Sequence, residues 1–210
     1  MTLPFTAQEF FEVFRRYNEA VWPLQILFNA LALGALVFRR YSGRWISAIL
    51  ALLWTWIAVV YQLGFFMPVN PAAVAFAVLF FSGAAVFWWE GVVHDRLRFD
   101  GNDAARCATG YALALYGLLV YPIVAYLAGR ELLETASFGL PCPTTIFSFA
   151  MLAFLKAPYP RSVFVAPILW ALVGAQAAWL LGVYEDFGLL FAGVAGVWFA
   201  LYPRHQRRFA

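Results

Sequence analysis

Apolar residues fill seven stretches near 19–38, 45–66, 71–90, 107–128, 138–156, 162–182 and 186–202, with most charged residues between them. A helix rises about 1.5 Å per residue, so roughly 20 such residues cross the ~30 Å hydrocarbon core of a bilayer. The pattern predicts an all-α, polytopic membrane protein built as a seven-transmembrane-helix bundle. Pro141 and Pro143 interrupt the fifth stretch, so a regular helix there is expected to begin only near Pro143. Ser137 to Cys142 should then be irregular backbone below the membrane surface, which survives only when buried in protein or lining a wet cavity. Ahead of the first stretch, Thr6 and Glu9 have the spacing of a capping box. Phe10, Val13, Phe14 and Tyr17 fall on one helical face there, which predicts a short amphipathic interfacial helix over 1–18. The transmembrane domain follows over 19–202 and a basic tail over 203–210.

Charge orients the bundle. With the amino terminus outside and the carboxyl terminus inside, the inner segments hold Arg39, Arg40, Arg44, Arg96, Arg98, Arg106, Lys156, Arg161, Arg204, Arg207 and Arg208. The outer segments hold only Arg15, Arg16 and Arg130, the asymmetry that the positive-inside rule describes. Topology accounts for the arginine clusters, so no nucleic-acid partner is expected. Composition agrees: 64% of the 210 residues are hydrophobic and only 12% charged. Soluble domains carry about 25% charged residues, so a water-soluble enzyme, a disordered chain and a disulfide scaffold are poor readings.

Several chemistries are missing. Cys107 and Cys142 lie at opposite ends of their spans, too far apart to pair. No phosphate loop, zinc spacing or Ser/His/Asp grouping is present, and His94 and His205 both fall in inner segments. The single lysine, Lys156, is not on the last helix, which excludes a retinal Schiff base. No cofactor is expected. Cys142 as a nucleophile would lack a histidine base, so an enzyme is the weaker reading. The Cys142–Pro143 step resembles that of metal-transporting pumps, but one cysteine makes a poor metal site.

The informative residues are polar groups inside the spans, because such groups need partners in lipid. Counting from the inner basic residues places Gln25, Asn29, Tyr121, Thr144, Thr145 and Gln176 roughly 15–22 Å up, in the outer half of the bilayer. Two readings stay open: polar residues tying helices together beside a proline kink, or a ligand cavity entered past Cys142. In the second reading the N–H groups after Pro143 offer a positive helix end to a ligand. Glu19, Glu185 and Asp186 would form an outer acidic rim, with helix capping as the plain role for Glu185 and Asp186. Glu90 either pairs with an arginine or gates the inner side.

The runs Tyr17–Gln25, Phe138–Phe147 and Leu180–Leu190 resemble a family of small bacterial membrane proteins of unknown function. That resemblance covers essentially the whole chain and implies a bacterial inner (cytoplasmic) membrane location, with no activity attached. The sequence therefore points to a transporter or channel for a small solute or ion, embedded in the lipid bilayer. The alternative is a non-transporting receptor or assembly protein that uses the same Pro-Cys-Pro-Thr-Thr segment. A homo-oligomer is compatible with either.

Overall fold

The structure is a computed structural model and describes residues 4–202; the basic tail, with Arg204, His205, Arg207 and Arg208, lies outside the described residues. The described chain is helical, without strands. Seven helices follow one another: α1 (Ala7–Val37), α2 (Gly43–Phe66), α3 (Ala73–Val93), α4 (Ala104–Leu127), α5 (Pro141–Ala153), α6 (Arg161–Leu180) and α7 (Tyr184–Leu201). All except α5 are long and apolar enough to cross a membrane. Their outward faces leave large apolar side chains such as Ile26, Leu33, Val78, Phe81, Leu119, Phe191 and Val194 uncovered, as lipid-facing helices do. Trp22, Trp45, Trp88, Trp89, Trp179 and Trp198 are all exposed too, in keeping with an aromatic belt.

The first helix corrects an expectation. No boundary separates an interfacial helix over 1–18 from a first span, because α1 runs unbroken through residues 18 and 19 and past Pro23. Its capping box is formed, with the Glu9 N–H donating to Thr6 Oγ1 and the Thr6 N–H to Glu9 Oε2 at 2.8 Å. The 31 residues reach about 46 Å, so α1 projects well beyond a ~30 Å apolar layer. The face of Phe10, Val13, Phe14 and Tyr17 does not lie on lipid. Phe10 packs edge-on against Phe66, Phe14 meets Tyr61, and Val13, Phe14 and Tyr17 are buried. The bundle offered these rings a better-packed surface than an interface could.

At the centre stands α5. Its helix begins at Pro141, two residues earlier than the sequence suggested, and runs to Ala153 without interruption. Both prolines occupy the first turn, where a missing N–H costs nothing, so they start the helix and do not break it. Thirteen residues span about 20 Å, too short to cross alone. Every residue of α5 except Cys142 is buried, chiefly against α4 and α7. Small residues allow the approach. A Cβ on Gly117 would stand 2.9 Å from the Pro143 carbonyl, and one on Gly196 would overlap the Phe149 ring.

Irregular chain completes both ends of α5, and side chains satisfy its backbone. At the start, Asn18 Nδ2 donates to the Leu133 and Thr135 carbonyls, and the Tyr17 hydroxyl donates to the Gly139 carbonyl at 3.0 Å. At the finish, the Gly101 N–H donates to the Phe154 carbonyl and the Lys156 N–H to the Arg98 carbonyl. Arg106, 7% exposed, donates to the Ala153 and Leu152 carbonyls and to Tyr159, and its guanidinium lies over the Phe199 ring. A cation at the carbonyl end of a helix is the favourable polarity.

Arg106→Leu should destabilise the protein by about 1–3 kcal/mol, since it strands buried carbonyls. Thermal unfolding in detergent checks this; the exposed Arg161→Ala variant should unfold within about 0.5 kcal/mol of the parent.

Candidate functional site

Chain direction alternates from helix to helix, so the starts of α1, α3, α5 and α7 and the ends of α2, α4 and α6 meet at one end of the bundle. There they enclose a cavity of about 190 Å³. An apolar cavity of about 150 Å³ holds benzene, so the space admits a solute of that size or slightly larger. Eight of the 21 lining residues are aromatic, among them Phe10 and Phe14 from α1, Tyr61 and Phe66 from α2, Phe76 from α3 and Trp170 from α6. Two stretches of wide, π-helical turn border it. Ile57–Phe66 presents Tyr61 and Phe66, and Tyr116–Val120 ends at Tyr121. Such wide turns recur beside functional sites in helical proteins.

The polar groups converge on Asp186. Its carboxylate is 1% exposed, and Oδ1 accepts the Tyr121 hydroxyl at 2.5 Å. The Cys142 thiol, in the first turn of α5, faces Asp186, the Trp170 indole and Tyr121. The Trp170 Nε1–H is buried and makes no hydrogen bond, leaving the weakly accepting sulfur as its neighbour. Asn70 and Gln176 complete the polar lining. Neither cysteine is disulfide-bonded, and among the described residues no three His, Cys, Asp or Glu side chains group as a metal site.

Beside this carboxylate stands a closed ion pair. Glu185 is fully buried and bonds the Arg130 guanidinium, whose other nitrogen donates to the Gly182 carbonyl at 2.5 Å. The Tyr116 hydroxyl donates to the Glu185 carbonyl at 2.8 Å. Arg130 also lies over the Phe11 ring, so its donors and its face are both engaged. No cation stands within 4 Å of Asp186 among the described residues.

Of the residues singled out in the sequence, Tyr121, Cys142, Gln176 and Asp186 come together in the cavity wall. Asp186 and Glu185 do not form an exposed rim. Both are interior, because the turn before α7 tucks inward, and Glu19 stays exposed on α1 away from the cavity. Gln25 and Asn29 do not reach it either. Gln25 Nε2 donates to Asn18 Oδ1 and Asn29 Nδ2 to the Gln25 carbonyl, which makes them part of the lattice holding residues 133–139. Thr144 Oγ1 accepts the Gly139 N–H, and Thr145 is buried outside the cavity with its hydroxyl unpaired. The expected cradle of free N–H groups is absent too, since Pro143 has none and the Thr144 N–H bonds the Leu140 carbonyl. Glu90 pairs with Arg96 at 3.0 Å at the opposite end. Tying together therefore explains most of the polar set, and a cavity explains the remainder. Trp170 and Tyr61 escaped the sequence reading. The signal for Trp170 was an indole placed mid-span, away from the belt that suits such side chains, whereas Tyr61, five residues from the end of α2, carried none.

A family model described as a family of unknown function (DUF6064) matches residues 7–210. No curated protein and no solved structure matches the chain.

Removing one partner of the buried pair should cost far more than removing both. Arg130→Met is expected to lose about 3–5 kcal/mol, because it leaves Glu185 buried and unpaired. Adding Glu185→Gln should restore at least about 1 kcal/mol of that loss. Thermal unfolding of the parent, both single variants and the double variant measures the difference.

Proposed function

The chain belongs to this family of unknown function, and from that premise we propose that it is a membrane-embedded carrier of a small solute, which it binds in the cavity beside Asp186. The observation that carries the reading is the cavity itself. A half-open, benzene-sized pocket lies where a short helix, a loosened turn in α6 at Ala175–Gln176 and two wide helical turns meet. Polar side chains converge on one point of its apolar wall, the usual form of a small-molecule site.

Orientation follows from charge. Arg39, Arg40, Arg44, Arg96, Arg98, Lys156 and Arg161 gather at the end opposite the cavity. With that end inside, the amino terminus and the cavity face outward. In a bacterial cell the membrane would be the inner one, and the solute would enter from the periplasmic side. Carriage across the bundle then requires the floor to open. That floor is aromatic: Trp170 packs on Phe80 at 4.7 Å between centroids, Phe80 on Trp54, and Trp54 on Phe87. The same filled floor is the specific observation behind a second reading, a receptor that binds its ligand and never passes it on.

Cys142 distinguishes the two, since its thiol is part of the wall. With Cys107→Ser to leave one thiol, an impermeant maleimide is applied to right-side-out and to inverted membrane vesicles. A carrier alternates its access, so Cys142 should label from both sides. Labelling from the outer side alone favours the receptor, and no labelling from either side removes the site.

A further inference from the structure

We infer that the solute is a small organic cation, an amine-like ammonium bearing an apolar body about the size of a benzene ring. The inference rests on the cavity being a solute site, as proposed above, and adds its chemical class. Three independent features of the wall select the same sign of charge.

The first is the carboxylate. Asp186 is 99% buried and faces a largely apolar space with several aromatic rings in its wall, and its partners are the uncharged Tyr121 hydroxyl and the Cys142 thiol. A buried charge is costly unless it is paired. The one nearby cation, Arg130, is committed to Glu185, to the Gly182 carbonyl and to the Phe11 ring, and it does not line the cavity. Asp186 thus offers a cation entering the cavity an acceptor that no ion pair occupies among the described residues. Glu185, one residue away, shows what the fold does when it means to close such a pair internally.

The second is the wall. Aromatic faces carry negative quadrupole density and attract ammonium groups, more strongly when water is excluded. Phe14, Tyr61, Phe66, Phe76 and Trp170 surround the space. A metal ion would gain little there, because it favours several charged ligands and the wall offers one carboxylate and one thiol, its other polar groups being the neutral Asn70, Gln176, Tyr61 and Tyr121. An organic anion would meet Asp186 without compensation.

The third is the approach. Apart from the buried Glu185–Arg130 pair and Asp186 itself, the chain ends and turns at this end of the bundle carry Glu9, Glu12, Glu131 and Glu134 against Arg15 and Arg16. A net acidic mouth over low-dielectric walls draws cations inward. Fit by size selects among cations: about 190 Å³ takes one ring with a short aminoalkyl arm and leaves no room for a polyamine with its hydration shell.

Two measurements test the class on the full chain. In the Cys107→Ser background, the modification rate of Cys142 is compared for methanethiosulfonate reagents carrying ethylammonium and ethylsulfonate, each normalised to free cysteine. The ammonium reagent should react at least 10-fold faster, and Asp186→Asn should bring the normalised ratio towards one. Both reagents attack the same thiolate, so the ratio reads local charge and not thiol reactivity. In parallel, thermal unfolding in detergent is followed with benzylamine and with benzyl alcohol, which differ little in size. Benzylamine should stabilise the parent at concentrations at least 10-fold lower. This comparison needs no variant and so holds if Asp186→Asn fails to fold. Equal rates and equal stabilisation would overturn the cationic class while leaving a solute cavity in place. Failure of every reagent and both probes to reach the site would instead remove the cavity reading beneath it.

Discussion

A helix of thirteen residues cannot cross a bilayer, and the rest of the bundle is arranged around that shortfall. The backbone on either side of α5 has to be irregular at depth, and in hydrocarbon each unpaired N–H or carbonyl costs several kcal/mol. The chain answers with side chains from elsewhere. Tyr17 and Asn18 on α1 hold residues 133–139, Thr144 takes the Gly139 N–H, and Arg39 and Arg106 bind carbonyls at the other end. Long helices then enclose α5, and glycines on α4 and α7 let them come close. The cavity is a by-product of the same geometry. Where a full-length fifth helix would have continued, its place is shared by rings from α1, α2, α3 and α6.

Two buried carboxylates, adjacent in sequence, divide the work at that end. Glu185 closes a pair with Arg130 and pins the turn before α7 to the end of α4. Asp186 turns the other way, into the cavity, with a hydroxyl and a thiol as its company. The pinned turn sets the position of the open carboxylate. A stability device thus sits beside the carboxylate that faces the cavity, and the first keeps the second in place.

The architecture was legible in the pattern of apolar runs, because lipid imposes length and composition on each span directly. Expected and observed helix limits agree within about three residues, except where α1 starts twelve residues early. That exception has a physical cause. Phe10 and Phe14 read equally well as rings for lipid or for protein, and periodicity cannot name the partner of an apolar face. The site was legible only in part. Depth counting puts Tyr121 and Gln176 at one level with Gln25, Asn29, Thr144 and Thr145, yet height says nothing about azimuth, and the last four face elsewhere. Asp186 was read as a cap on the rim because a carboxylate before a helix is so often one. Only the tertiary fold shows that the turn carrying it points inward.

The central claim is that a foreshortened fifth helix leaves a solute-sized space against Asp186. A cryo-electron microscopy map of the protein in lipid nanodiscs tests it most directly. The account predicts helical density for the fifth segment starting at Pro141, with extended chain before it and non-protein density beside the Asp186 carboxylate. A fifth helix continuing regularly through Ser137 and Phe138, with aromatic side chains filling the space beside Asp186, would contradict it.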